Sequence, residues 1–342
     1  MWDIFGQHKA VELLEASIEQ QKLSHAYLVV GPRYIGKGAL ALKLAQAVNC
    51  TGDDPPCGRC PSCDKITRGT NSDVQVVCLK DGAKEISIDQ IRELHHTASL
   101  KPYESKCRVF IIEGAGSLST EAGNALLKTL EEPPQRVLLI LTALAKAQIM
   151  ATILSRCQVI ELHPVAASII EKELTARWHA DPDEAKKLSR LCNGAIGWAV
   201  MALDDPTLIE RRSDIIDRVV KASAASVADR FSCASDMAGL FSQDKEAVFE
   251  MLSLWAGWWR DMLLLKHKSD GKLINIDRLQ ELADMASGYD AADIIGFLKS
   301  IDRSAANLRR NVNARLALEV LMLDVPKSNR RRRGKEAEAV SF

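Results

Sequence analysis

The stretch Leu28 to Leu40, LVVGPRYIGKGAL, constrains the chain more than any other. Its three apolar residues Leu28, Val29 and Val30 read as a buried parallel strand. Gly31 then opens a loop that closes at Gly36-Lys37, and a helical pattern follows. The spacing G-x-x-x-x-G-K fits a phosphate-binding loop. Glycines let backbone N–H groups face inward around a polyphosphate. The next helix adds its dipole and the lysine a point charge. Gly31, Gly36 and Lys37 are therefore candidate nucleotide-binding residues. The following position should carry a hydroxyl for magnesium, and it is Gly38. The loop can cradle phosphate but lacks its metal-holding oxygen.

Around this loop, strand and helix patterns alternate. Residues 3–23 have a helical period, with Ala10, Leu13, Leu14, Ser17 and Ile18 on one face. Val74–Leu79, Arg108–Ile112, Val137–Leu141 and residues 158–162 read as further strands. Helices are expected over 86–99, after Ser119 or Thr120 as cap, and over 146–154. Such alternation predicts a doubly wound parallel sheet. Arg108–Ile112 ends at Glu113-Gly114, where an ATPase needs one carboxylate for magnesium and a second to polarise water. The second is absent at Gly114. Glu113 is then either a metal-site acid or an ordinary loop acid.

Nine cysteines occur, and Cys50, Cys57, Cys60 and Cys63 form the pattern C-x6-C-x2-C-x2-C. Four thiolates at these steps predict a closed, structural zinc site with no open position for catalysis. The interspersed Pro55, Pro56, Gly58 and Pro61 suit a metal-folded loop. The other reading is four reduced cysteines in a surface loop. The chain reads as cytoplasmic, and in such a reducing compartment the clustering predicts metal rather than disulfides. No apolar run is long enough for a membrane span, and MWDIFGQHKAVELLE lacks the basic start and apolar centre of a signal peptide.

Beyond Pro164 the strand signal fades. Short helices are expected over 166–203, broken at Asn193-Gly194, and residues 207–325 read as wholly helical. Trp255, Trp258 and Trp259 share a helix with Leu252, Met262 and Leu263, a spacing that places them in a core. The run Arg330–Arg333 reads as a solvated basic tail. Lys+Arg and Asp+Glu are 45 each, so the chain lacks the basic excess of a dedicated DNA binder.

In order and spacing, IFGQHKAVELL (4–14), SHAYLVVGP (24–32), the cysteine segment, NALLKTLEEPP (124–134), ILSRC (153–157) and LRRNVNARLALEVL (308–321) together resemble the AAA+ clamp-loader subunits of bacterial DNA replication. The resemblance covers roughly residues 3–325. It implies α/β architecture followed by all-α: an AAA+ P-loop domain over 1–164 with a zinc-binding insert near 50–63, a small helical lid over 165–206, and a helical collar over 207–326, with a basic flexible tail over 327–342. It also implies partners. These are the motor subunits and a delta subunit in a five-subunit ring of the DNA polymerase III holoenzyme, which loads a sliding clamp onto primer–template DNA, with no membrane.

Three departures from the motor pattern then matter. A motor subunit would carry Thr where Gly38 stands, Asp-Glu where Glu113-Gly114 stands, and a lid arginine where Gly197 ends the stretch Gly194-Ala195-Ile196-Gly197. Metal, polarised water and charge neutralisation are needed together, so no ATP hydrolysis in cis is expected. ATP or ADP can sit in the loop non-productively, or Arg33 or Tyr34 can fold over an empty one. Ser155-Arg156-Cys157 is retained. In the family this arginine enters the neighbour's nucleotide site; alone it would read as a surface arginine capping a carboxylate. The expected function is a non-motor stator that supplies Arg156 in trans. Two alternatives stand beside it: an active gamma/tau-type ATPase subunit, and a zinc-stabilised nucleic-acid-binding protein on the same fold.

Overall fold

The computed structural model describes residues 2–327 apart from Asn311. The chain divides into two compact units. The first comprises Met1–Leu174 and Gly194–Trp198, the second Thr175–Asn193 and the chain from Ala199 onward.

The first unit is built on five parallel strands: β1 (Ala26–Val30), β2 (Val74–Val77), β3 (Arg108–Ile112), β4 (Val137–Ala143) and β5 (Gln158–Glu161), in the order β2-β3-β4-β1-β5. The central strands β1, β3 and β4 are buried at every residue, which explains their unbroken apolar runs. The edge strands β2 and β5 are only partly buried. Between the strands lie α1 (His8–Glu19), α2 (Lys37–Asn49), α3 (Pro61–Thr67), α4 (Ile88–Ala98), α5 (Thr120–Glu131) and α6 (Ala151–Leu154). Alternate side chains feed two cores. Leu28, Phe110, Ile112, Leu139 and Leu141 pack with Ile91, Leu94, Leu126 and Leu130 from α4 and α5. Tyr27, Val29, Val109, Ile111 and Ile140 pack with Leu14, Leu40 and Leu44 from α1 and α2. Each such side chain contributes about 1.5–3 kcal/mol on burial, and both faces of the sheet are thereby covered, as expected of a doubly wound fold.

Several boundaries differ from the sequence reading, each for a local reason. Helix α1 starts at His8 because Gln7 is pinned: its Nε2 donates to the His163 carbonyl at 2.6 Å and its Oε1 accepts from the His163 N–H at 3.1 Å. The expected helix over 146–154 is two short pieces, since Ile149 and Met150 are extended. Extension buries Ile149, and Met150 lies where a Cβ on Gly123 of α5 would be 2.5 Å from its Sδ. The turn-rich cysteine segment contains a helix, α3, with Pro61 at its start and Cys60 as its cap.

Helix α7 (Ala167–Trp178) follows the sheet, and α8 (Pro182–Leu191) and α9 (Ile196–Asp204) complete the expected run of short helices. The second unit continues with α10 (Thr207–Ala224), α11 (Val227–Gln243), α12 (Lys245–Lys266), α13 (Leu279–Ala286), α14 (Ala291–Arg309) and α15 (Ala314–Leu323). Trp255, Trp258 and Trp259 of α12 are fully buried, as their spacing predicts. Trp259 meets Tyr289 and Phe297 edge-to-face, at centroid distances of 5.1 and 4.8 Å. Arg330–Arg333 lies outside the described residues.

Candidate functional sites

The phosphate loop joins β1 to α2. Its conformation depends on glycine at both ends: a Cβ on Gly31 would lie 2.8 Å from the Leu162 carbonyl oxygen, and Gly36 has φ +102°. Lys37 does not project into open space. Its ammonium donates to the Gly31 and Pro32 carbonyls at 2.8 and 2.6 Å, so the charge is folded back over the loop's own backbone. At the tip, Tyr34 is left-handed, with φ +57°, and its carbonyl accepts the Gly197 N–H at 2.8 Å.

The three departure glycines differ in their surroundings. A Cβ on Gly197 would lie 2.7 Å from the Tyr34 carbonyl oxygen and 3.3 Å from its carbon, so the loop tip occupies the place a side chain would need. Gly114 is left-handed at φ +69°, where an L-residue is strained, and its N–H donates to Thr142 Oγ1 at 3.1 Å. At Gly38 a Cβ would be 3.1 Å from Glu113 Oε1. Glu113 thus reaches over the position from which a magnesium-binding hydroxyl is missing.

The four cysteines come together. All four Sγ atoms lie within 4.8 Å of one another, from the end of α2 (Cys50), the connecting loop (Cys57) and the start of α3 (Cys60, Cys63). Tetrahedral zinc–thiolate bonds of ~2.3 Å put sulfurs about 3.8 Å apart, and Cys50 and Cys60 are 4.0 Å apart. Backbone N–H groups of Gly52 and Cys57 point at Cys50 Sγ, that of Cys60 at Cys57 Sγ, and that of Cys63 at Cys60 Sγ, at 3.4–3.5 Å. Burial works against a Cys60 thiolate, but hydrogen bonds from Thr51 and Cys63 outweigh it and bring the thiol down to about 5. Burial pushes Cys63 the other way. A Cβ on Gly52 would sit 3.0 Å from Cys57 Sγ, so the loop closes tightly on the cluster. The donor set, spacing and cradle fit a four-thiolate metal site.

Residues that the sequence did not single out tie the cluster to the sheet. Gln46 donates to the Cys63 carbonyl at 2.9 Å and to Thr67 Oγ1 at 2.6 Å. Lys106 donates to the Cys50 carbonyl, and Asn49 Oδ1 accepts the Cys107 N–H at 2.8 Å. Behind them, fully buried Asp73 accepts the N–H groups of Tyr103, Glu104 and Ser105 and pairs with Arg108 at 2.8 Å. Burial raises the Asp73 carboxyl, but those donors and Arg108 prevail and hold it below the usual range. No motif marks these residues; their signal would have been polar side chains flanking apolar strands.

Ser155-Arg156-Cys157 forms the turn after α6. Arg156 Nη1 donates to the Thr152 carbonyl at 2.9 Å and to Ser155 Oγ at 3.2 Å, while Nη2 pairs with Glu131 at 2.7 Å. About a third of the Arg156 side chain (35%) and half of Glu131 (50%) stay exposed. Cys157 faces the other way and packs against the sheet core, and burial lifts its thiol to about 11. Of the remaining cysteines, Cys78 is exposed. No helix among the described residues is long and apolar enough to cross a membrane.

A family model described as DNA polymerase III, delta subunit, matches residues 6–166, and one for the C-terminal part of that subunit matches residues 207–327. The DNA polymerase III subunit delta′ of Bacillus subtilis is 29% identical over 93% of this chain and 95% of its own length. Subunit tau of the same organism is 39% identical over 49% of this chain, which spans only 30% of tau. Among solved structures, a DNA polymerase III gamma subunit-related protein of Thermotoga maritima is 16% identical, with a TM-score of 0.43 over 91% of this chain and 98% of that one.

Proposed function

The chain belongs to the DNA polymerase III delta-subunit family, and we propose that within it the chain is a non-motor, delta-prime-type subunit of a cytoplasmic clamp loader. In this reading residues 1–164 form a P-loop domain, 165–206 a lid and 207–326 a collar. Its partners are motor subunits and a delta subunit, and through the ring the sliding clamp and primer–template DNA.

The observation that carries the non-motor assignment is glycine at three positions of one site, with the loop backbone closed against the third. Positions 38, 114 and 197 lack the side chains that hold metal, polarise water and neutralise charge. At Gly197 the loop backbone stands where a side chain would be, and at Gly114 the left-handed φ penalises any L-residue although the space is open. Lys37 is spent on the loop's own carbonyls. Nucleotide bound there would not be cleaved. The retained arginine works elsewhere: Arg156 is surface-exposed, and a guanidinium set against a neighbour's γ-phosphate stabilises charge on the transferring group. Ser155 and the Thr152 carbonyl orient it. Cys50, Cys57, Cys60 and Cys63 would hold zinc as a folding staple, with no catalytic part.

The 39% identity to tau favours a second reading, an active gamma/tau-type ATPase. What separates the two readings is the missing side chains at positions 38, 114 and 197, not the extent of likeness, since tau/gamma relatives also align through both units. One experiment separates them: steady-state, DNA-stimulated ATPase of the reconstituted ring with wild-type or Arg156→Ala subunit, beside the isolated chain. The proposal expects an inert isolated chain and loss of most ring activity with R156A. Hydrolysis by the isolated chain would place it among the motors, and an R156A ring with unchanged ATPase would remove the trans role.

A further inference from the structure

Arg156 is held inside its own subunit by a residue that no motif marks. Glu131 is the last residue of α5, at the negative end of the helix dipole, where a carboxylate is unfavourable unless paired. The pairing cation is Arg156, which follows the single turn of α6. The guanidinium's contacts divide by kind. The Thr152 carbonyl and the Ser155 hydroxyl, both on Nη1, are neutral acceptors within its own turn; they fix the plane of the group without touching its charge. Glu131, on Nη2, comes from a different helix and brings a full negative charge.

We propose that Glu131 is a cis competitor for Arg156: it parks the guanidinium and sets how much of its charge reaches a phosphate presented by a neighbouring subunit. The inference rests on the trans-acting reading of Arg156. Glu131 is exposed and Arg156 partly so, and the pair is therefore weak and salt-sensitive. A γ-phosphate with its magnesium displaces such a carboxylate readily once the neighbour is docked. Before docking is complete, the carboxylate keeps the arginine neutralised. Glu131 therefore suppresses idle turnover more than productive turnover.

The test is the ATPase of the reconstituted ring, without and with clamp and primed DNA, using Glu131→Gln, Glu131→Asp, Arg156→Ala and the Glu131→Gln/Arg156→Ala double variant. Glutamine keeps an acceptor for Nη2 but removes the charge. E131Q is expected to raise the unstimulated kcat two- to fivefold, equivalent to about 0.4–1 kcal/mol. The KM for ATP should stay unchanged and the stimulated kcat should change by less, so the stimulation ratio falls. E131D should restore most of that ratio. The E131Q gain should shrink in high salt and vanish in the double variant. An unstimulated rate unchanged or lowered by E131Q, with R156A still inactivating the ring, overturns the competitor role and leaves the trans arginine standing. A gain that persists in the double variant overturns it too. If R156A itself has no effect, the functional reading fails first and this inference with it.

Discussion

Replacing Gly197 by alanine tests whether the phosphate loop is locked onto the start of α9. The added Cβ would meet backbone, not a movable side-chain end: the Tyr34 oxygen at 2.7 Å, its carbonyl carbon at 3.3 Å and its Cα at 3.5 Å. Real Cβ atoms do not approach that closely, so the loop tip or the helix must shift. Overpacking of this kind costs about 1–3 kcal/mol. The 2.8 Å hydrogen bond from Gly197 to Tyr34 is lost in the shift, at about 1 kcal/mol. Together they amount to roughly 2–4 kcal/mol, or roughly 6–12 °C in the melting of the sheet-bearing unit. Gly296→Ala supplies the opposite sign. Gly296 is exposed within α14 with nothing within 4 Å of its would-be Cβ. Alanine there should stabilise its helix by ~1 kcal/mol. Scanning calorimetry, with amide exchange at residues 34–38 and 197, reads both. G197A should lower the melting temperature and speed exchange at the loop, and G296A should do neither. If G197A melts like wild type with protection intact, the loop is not held by this contact and position 197 accepts a side chain.

Other expectations follow from the same geometry. Zinc should bind at one ion per chain by metal analysis; Cys60→Ser or a chelator should abolish it and lower stability, whereas Cys78→Ser, at an exposed and isolated thiol, should change neither. Asp73→Asn leaves buried Arg108 without its counter-charge and should cost about 3–5 kcal/mol in urea unfolding. The pH dependence has a definite sign. Because the folded carboxyl lies below its usual 3.8, its contribution is present above about that pH and is lost as pH falls through the folded value. Acid unfolding of wild type below pH ~4 should therefore be steeper than that of D73N.

The order of elements was legible because the central strands are continuous apolar runs and the helices between them are periodic. β3 matches its expected bounds, Arg108–Ile112, and Ser119 caps α5 as expected, accepting the Ala122 N–H at 3.1 Å. What the sequence hid was tertiary. The kink at Ile149-Met150 exists because one side chain enters the core and the other fills the space beside Gly123. Helix α3 exists because Pro61 and a cysteine cap start a turn that period and composition, dominated by prolines and glycine, read as loop. At the candidate sites the residue types were readable and their partners were not. The pattern C-x6-C-x2-C-x2-C announced a metal cluster, but nothing in it announced Gln46, Asn49 or Lys106. Ser155-Arg156-Cys157 announced an arginine, but Glu131 lies a helix and a strand away.

On the non-motor reading proposed above, the three glycines bear on how reversible the loss of hydrolysis is. A side chain missing from an otherwise open position can return by a single substitution. Gly38 comes nearest to that case, with only the Glu113 carboxylate, the end of a flexible side chain, near its would-be Cβ. Gly114 is different, because φ +69° penalises any L-residue by about 1–2 kcal/mol. Gly197 is different again, because the obstacle is the backbone of the phosphate loop itself, bonded to it through Tyr34. An arginine at 197 would have to push away the very loop whose phosphate it is meant to sense. The substitution that would restore charge neutralisation thus displaces the element that would bind the charge. Selection acting one residue at a time meets a loss of stability before any gain of hydrolysis. Arg156 lies outside this trap: its partners are side chains and carbonyls of its own surface turn and the end of α5, so it can be kept, tuned or released without disturbing the loop.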